Sequence, residues 1–555
     1  MSLFIYDKLI LQYLKENKYL LIKYLCVVFV LYFFESIALS RTNAQLFSSL
    51  YNKHSTVLTK NESFKYVIHV GIIFTIIIFC YYLLKKIEVN IYPNYTTFIR
   101  KNIFENTIKK FSNNLTDIKI GKYISRIIDL TKELNKLLQI VITECITKFF
   151  IVFFIIIYFL FLNYKIGIVF LVEVIFIFLI IKYYQPEVIK LATKKSELFF
   201  DLNESNSDSL TNLANIYLNN ETKNEINNNS TLSEEYKDYS KKAYEYSNGM
   251  INLINIVILI TFFTIFFYTY YLFIHKEIDK MVIINIYILL FFFCGTSLRI
   301  ISQVGDLFHI WGYIVASNKF VEYIYDNDDL KNIKRVDIKS GHIQMKNILF
   351  SYKNNKVIFK NLNLQIEGNK KTVVLGKSGS GKSTISKLIV KLYNPQKGDI
   401  YIDNVNIKNI DTKYLRDKVI YINQKTILFN KSIMDNILYG NDHLNDKQVI
   451  NIMKKYQLDS LFNNMKDGLY SSCGVNGNNL SLGMQKIVIL LRGVLKNNYK
   501  IIIYDEPLAG LDKNSRKKVI TMINDLSVGK TVLIITHDNE ILDIADNVIE
   551  MNKIL

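Results

Sequence analysis

The sequence predicts a multidomain chain: an all-α membrane domain of six transmembrane helices with long helical extensions into water, followed by an α/β domain built around a phosphate-binding loop. Three observations carry this reading. The chain has 555 residues, more than one hydrophobic core usually organises. Half of its residues are hydrophobic, and the excess lies in the first 330 residues, while residues 341–555 read as mixed soluble sequence. Within that second part, Gly376-Lys377-Ser378-Gly379-Ser380-Gly381-Lys382-Ser383 matches GxxxxGK[ST] between a β-rich apolar run and a helical pattern.

The apolar stretches cover residues 19–39, 66–84, 146–162, 166–184, 251–274 and 281–301, each close to the roughly 20 helical residues that a bilayer requires. Long insertions follow the second and fourth stretches, near residues 85–145 and 185–250, whereas little separates the third from the fourth or the fifth from the sixth. Every long insertion therefore falls on the side of the membrane that holds both termini. These insertions keep a helical period, as in FIRKNIFENTIKKF, and are expected as membrane helices continued into water. The expected division is a transmembrane domain over 1–330, a linker over 331–340 and a nucleotide-binding domain over 341–555.

Ahead of the first span, Leu3, Ile5, Leu9, Ile10, Tyr13 and Leu14 share one face of a helix expected to lie on the membrane surface. No short apolar region there ends in a cleavage site of small residues, so a removable leader is not expected. Ionisable groups inside apolar runs are costly and usually face a bundle interior. That makes Glu35, Glu173 and Arg299 candidates to line a substrate path. The alternative is a structural ion pair or, for Arg299 near the end of its span, snorkelling.

The net charge of +19, from 68 Lys and Arg against 49 Asp and Glu, raises the question of nucleic acid. The basic residues are scattered among acids and Asn and form no stripe, so no nucleic-acid partner is expected. A basic surface beside membrane lipid accounts for the charge. The five cysteines have no metal or redox spacing and read as lipid-facing or buried thiols.

The C-terminal motifs carry the chemistry. In the phosphate loop, glycines let backbone N–H groups converge on phosphate oxygens, and the helix opening at Thr384 adds its dipole. Lys382 neutralises the β- and γ-phosphates and Ser383 ligates Mg²⁺. Downstream, Ile501-Ile502-Ile503-Tyr504-Asp505-Glu506 is a buried strand ending in two carboxylates. Beside such a loop, Asp505 holds Mg²⁺ through water and Glu506 polarises the attacking water. The ligand and cofactor so implied are ATP and Mg²⁺.

Between these elements, Gly477-Asn478-Asn479-Leu480-Ser481-Leu482-Gly483-Met484-Gln485-Lys486 resembles the LSGGQ signature of ATP-binding cassette (ABC) proteins. Gln424 in YINQKTILF resembles that family's Q-loop, Ala509-Gly510-Leu511-Asp512 its D-loop and His537 in ITHD its switch histidine. Tyr352 in LFSYKNN stands where the family's adenine-stacking aromatic would be. The membrane half is similar to the exporter type of the superfamily, with six spans per half and two long cytoplasmic extensions. The sequence departs from the signature pattern at Leu482, in place of the first glycine, and at Met484, in place of the glutamine.

The resemblance implies a half-transporter whose cassette pairs with a second one, two copies of this chain before a related partner, with two ATP molecules sandwiched between them. Leu480, Ser481, Gly483 and Asp512 of one chain would then complete the site formed by the other chain's phosphate loop. Glu506 would be the general base, His537 would hold the γ-phosphate, and Gln424 would contact Mg²⁺ and report nucleotide state to the membrane helices. The expected function is ATP-driven export of an unidentified substrate by alternating access, from a multi-pass membrane protein with its nucleotide domain and both termini on the ATP-containing, cytoplasmic side. The competing readings are a membrane regulator or channel-like protein that binds ATP without cycling, and an ATPase whose spans serve only as an anchor.

Overall fold

The computed structural model describes residues 3–50, 57–111, 120–325, 336–352, 357–377, 379–424 and 426–551; the side chains of a few residues inside helices, Arg299 among them, lie outside that set. Two compact units divide the chain, one holding the helices up to Asp326 and the other the residues from Asn327 to Leu555.

The first unit is all helical: α1 (Leu3–Glu16), α2 (Lys18–Tyr32), α3 (Leu39–Leu50), α4 (Val57–Phe111), α5 (Ile120–Ile140), α6 (Thr147–Leu162), α7 (Tyr164–Thr211), α8 (Leu213–Leu218), α9 (Thr222–Ile274) and α10 (Lys280–Tyr325). Single π-helical turns, Phe33–Ala38 and Val141–Ile146, join α2 to α3 and α5 to α6. Among the described residues, six stretches are long and apolar enough to cross a membrane: Lys18–Leu50, Ser63–Phe111, Arg126–Leu162, Tyr164–Thr211, Thr222–Ile274 and Lys280–Tyr325. The 53 residues of α9 make a rod about 80 Å long, far beyond the roughly 30 Å of bilayer hydrocarbon. Helices α4, α7 and α9 thus continue from their spans into the insertions.

Local chemistry sets the joints. Asn163 stops α6 in an extended conformation, and its side chain accepts the Lys165 and Ile166 N–H groups at the start of α7, so two spans meet with one residue between them. On α1, Tyr6, Leu9 and Tyr13 are buried, and the Tyr13 hydroxyl donates to the Ile91 carbonyl of α4 at 2.7 Å. Small residues permit the closest helix approach: a Cβ on Gly312 of α10 would lie 2.4 Å from the Ala192 Cβ of α7. Large apolar side chains such as Ile78, Phe161 and Phe178 are exposed on the outside, as a lipid-facing surface requires.

In the second unit an antiparallel sheet has the order β2-β1-β4-β5, formed by β1 (Ile343–Phe350), β2 (Phe359–Ile366), β4 (Lys397–Ile402) and β5 (Val405–Asn406). A parallel sheet has the order β6-β7-β8-β3-β9, formed by β3 (Lys371–Leu375), β6 (Val419–Ile422), β7 (Ile501–Asp505), β8 (Thr531–Thr536) and β9 (Asn547–Glu550). Parallel strands covered on both faces need continuous apolar runs, and β7 and β8 are buried at every residue. The helices are α11 (Lys382–Ile389), α12 (Thr412–Lys418), α13 (Ile433–Leu438), α14 (Asp446–Lys455), α15 (Leu482–Val494) and α16 (Lys513–Leu526). Register places Leu375 opposite Thr536 and Asp505 opposite Ile535. The carboxyl ends of β3, β7 and β8 therefore share one edge, where open α/β sheets bind ligands.

Behind that edge a cation is buried. Lys486 of α15 is 6% exposed, and its Nζ donates to the Asp505 carbonyl at 3.3 Å. Burial pushes its amine down to about 8, against an opposing pull from Asp505 and Glu506. The folded chain thus holds this proton less tightly than the unfolded chain, whose value stays near 10.5. The charged amine costs stability in full below about 8, and the cost fades as pH rises to 10.5. We predict that Lys486→Gln melts about 3 °C above the native protein at pH 7, with the gap narrowing between pH 8 and pH 10.5. A gap that does not change with pH would contradict this account.

Candidate nucleotide site

The loop after β3 is shaped by glycines with backbones that other residues resist. Gly379 has φ +83° and Gly381 φ +86°, and a Cβ at Gly381 would sit 2.7 Å from the Phe359 ring. Lys382 is 7% exposed, and its Nζ donates to the Gly376 and Lys377 carbonyls at 2.6 and 3.0 Å, which aims the ammonium along the loop. The Ser380 hydroxyl is buried without a hydrogen-bond partner among the described residues, an orphan that a phosphate oxygen would satisfy. Thr384 on α11 meets the Tyr352 hydroxyl at 3.2 Å, and the Lys387 ammonium lies over the Tyr352 ring. Ser378 lies outside the described residues. A cavity of about 370 Å³ beside the loop is lined by Leu375, Gly376, Lys377, His537, Asn539 and Glu550.

Asp505 closes β7 at 1% exposure. Its Oδ1 accepts the Ser383 hydroxyl at 3.0 Å and its Oδ2 the Tyr421 hydroxyl at 2.9 Å. Burial pushes the Asp505 carboxyl up, and these two hydrogen bonds pull it back. Burial, and then the Asp505 charge, raise the Tyr421 phenol. Ser383 and Asp505 offer adjacent hard oxygen donors, the chemistry that suits Mg²⁺. Among the described residues no cluster of three or more His, Cys, Asp or Glu forms a metal cage. Mg²⁺ is usually held by one or two carboxylates together with phosphate oxygens, so this donor set fits it.

Glu506 follows with φ +50°, a left-handed backbone uncommon for a side chain this size and frequent at functional sites. The strain aims its carboxylate at β8: Oε1 lies 2.9 Å from His537 Nδ1 and Oε2 accepts the Thr536 hydroxyl at 3.3 Å. Acid, histidine and phosphate loop thus stand at one edge of the parallel sheet.

The other predicted residues are placed apart from this cluster. Gln424 is exposed just past β6, and none of the hydrogen bonds that join the cluster comes from it. Leu480 is buried and Ser481 is exposed, its hydroxyl capping α15 by accepting the Met484 N–H at 3.3 Å. Leu482 is 74% exposed, so its bulk points out of the chain, while Met484 packs against the core. Gly483 approaches the Gly510 carbonyl, which would lie 3.3 Å from an added Cβ. Asp512 caps α16, accepting the Asn514 and Ser515 N–H groups and the Ser515 hydroxyl.

In the membrane unit Glu35 accepts the Tyr81 hydroxyl at 3.2 Å. Glu173 is 3% exposed, and its Oε1 has no hydrogen-bond partner among the described residues. The Arg299 side chain lies outside the described residues. Two residues of the nucleotide cluster escaped the sequence reading, Tyr421 and Lys486. One of 38 tyrosines carries no signal by itself.

Residues 359–509 match the family model described as ABC transporter, and residues 20–296 the one described as ABC transporter transmembrane region. ABC transporter ATM1 of Plasmodium falciparum is 38% identical over 205 residues, covering 37% of this chain and 19% of that protein. The mitochondrial iron-sulfur clusters transporter ATM1 of Yarrowia lipolytica is 32% identical over 40% of this chain and 31% of its own length. The ATP-dependent lipid A-core flippase of Saccharophagus degradans is 30% identical over 40% of this chain and 37% of its own length. The aligned part thus spans at most 37% of these relatives. Among solved structures, a bacterial Atm1-family ABC exporter with ATP bound shares the fold at TM-score 0.87 and 17% identity, over 96% of this chain and 93% of that one. With a transmembrane region and an ATP-binding domain of one family matched across most of its length, this multi-pass membrane protein with an exporter fold belongs to the ABC transporter family.

Proposed function

We propose that this protein is an ATP-driven exporter that works as a dimer of two copies. The observation that carries the reading is the cluster of Lys382, Ser383, Asp505, Glu506 and His537 at one sheet edge, in a chain whose described residues also hold six helical stretches long and apolar enough to cross a membrane.

In this reading Lys382 and the loop N–H groups hold the β- and γ-phosphates of ATP. Ser383, Gln424 and, through water, Asp505 would hold Mg²⁺, which would supply charge neutralisation on the phosphate oxygens. Glu506 accepts a proton from water as the water oxygen attacks the γ-phosphorus; the bond to the bridging oxygen breaks and ADP and phosphate leave. His537, held through Nδ1 by Glu506, turns its other ring nitrogen to the γ-phosphate, and Tyr352 stacks on adenine. Ser481 and Gly483 of the second copy, flanked by Leu480 and Asp512, complete the site, which fits the outward exposure of Ser481 in the single chain. Closure and reopening of the nucleotide sandwich then bias the membrane helices between two openings, with Gln424 as reporter and Glu173 facing the path. The nucleotide domain faces the cytoplasm, where ATP is.

Two outcomes test this reading. Phosphate release by the lipid-reconstituted protein should fall about a hundredfold or more in Glu506→Gln, the share of a general base, while ATP still binds. Equal inactivity of native and mutant chains would sink the exporter reading. Lys382→Ala and Ser481→Ala should each abolish turnover, yet mixing the two chains before dimer formation should restore about a quarter of native activity, because half of the dimers then carry one intact composite site. No recovery in mixed dimers would rule out a site shared between copies.

A further inference from the structure

Asp505 is held by a hydroxyl on each of its two oxygens. Its Oδ1 takes the Ser383 hydroxyl from α11 at 3.0 Å, and its Oδ2 takes the Tyr421 hydroxyl from β6 at 2.9 Å. The same phenol lies 3.3 Å from Asn423 Oδ1, one residue before Gln424. Tyr421 is half-buried, and register on the sheet places it opposite Ile503, with Ile422 opposite Tyr504, so β6 brings its hydroxyl alongside the end of β7. A carboxylate 1% exposed turns only if its hydrogen bonds break, and a donor on Oδ2 fixes which oxygen faces Ser383.

We propose that Tyr421 is a positioning residue of the nucleotide site, orienting Asp505 for Mg²⁺ through its hydroxyl. The proposal rests on the assignment of Ser383 and Asp505 to Mg²⁺ made above and adds to it the strand that carries Gln424. Hydrogen bonds to a carboxylate that holds a metal govern its affinity, and their loss typically costs about tenfold or more. A phenol with an ordinary value near 10 remains a donor at neutral pH, so Tyr421 fills this role throughout the working range. Asn423 limits the swing of the ring, and any displacement of the turn after β6 is felt at Asp505 through one side chain.

The test is equilibrium binding of trinitrophenyl-ATP to the full-length Glu506→Gln protein in lipid, which needs no turnover, measured with Mg²⁺ and with EDTA. In the parent, Mg²⁺ tightens binding. Adding Tyr421→Phe should reduce that gain about tenfold while affinity in EDTA is unchanged, and Tyr421→Val should match it. A gain that survives Tyr421→Phe, or a loss equally large in EDTA, overturns the proposal alone. So does a gain lost in Val and kept in Phe, which would assign the effect to ring packing. A parent with no gain from Mg²⁺ overturns the metal assignment beneath both readings.

Discussion

A buried carboxylate survives in a protein only where donors replace the water it has lost, and Asp505 meets that demand with hydroxyls from two other elements, while a third bonds its backbone carbonyl. Ser383 comes from the helix after the phosphate loop, Tyr421 from the neighbouring strand, and Lys486 reaches the carbonyl of the same residue from α15. Each of these elements carries a motif: the loop, the strand leading to Gln424, and the helix that Ser481 caps. Their relative positions therefore depend on one residue at the end of β7. Glu506 inherits its place from the same point, since its left-handed backbone and its hydrogen bonds to Thr536 and His537 follow directly from where Asp505 ends the strand.

Much of this was legible in the sequence because the features obey short-range rules. The phosphate loop announces itself by glycines that only a positive φ or a crowded cradle requires, and Gly379 and Gly381 have that geometry. The run Ile501–Asp505 reads as a buried strand because it is apolar up to its acidic end. What the sequence hid depends on register. Tyr421 reaches Asp505 across 84 positions, and no local pattern distinguishes it from other tyrosines. Asp512 shows the reverse case: its motif suggested a role between chains, and within the chain its carboxylate caps α16.

The membrane unit follows a different economy. Its outer surface is apolar, so burial does not decide which helix face points inward, and polar groups must do so. Tyr81 on Glu35 ties α4 to the π turn after α2, and the Asn285 amide on the Tyr158 hydroxyl joins α10 to α6 at 2.5 Å. Glu173 has no such attachment on Oε1, which sets it apart from Glu35 although both read alike in sequence. The π turns at Phe33–Ala38 and Val141–Ile146 each carry a glutamate, Glu35 and Glu144. They widen the backbone ladder of the first and third spans.

The contact between Gly312 and Ala192 has a mechanical meaning. Two helices whose backbones nearly touch cannot slide along each other, because the next residue on either one brings a side chain into a gap that has no room even for a methyl group. Helices α7 and α10 are therefore locked in register at that level.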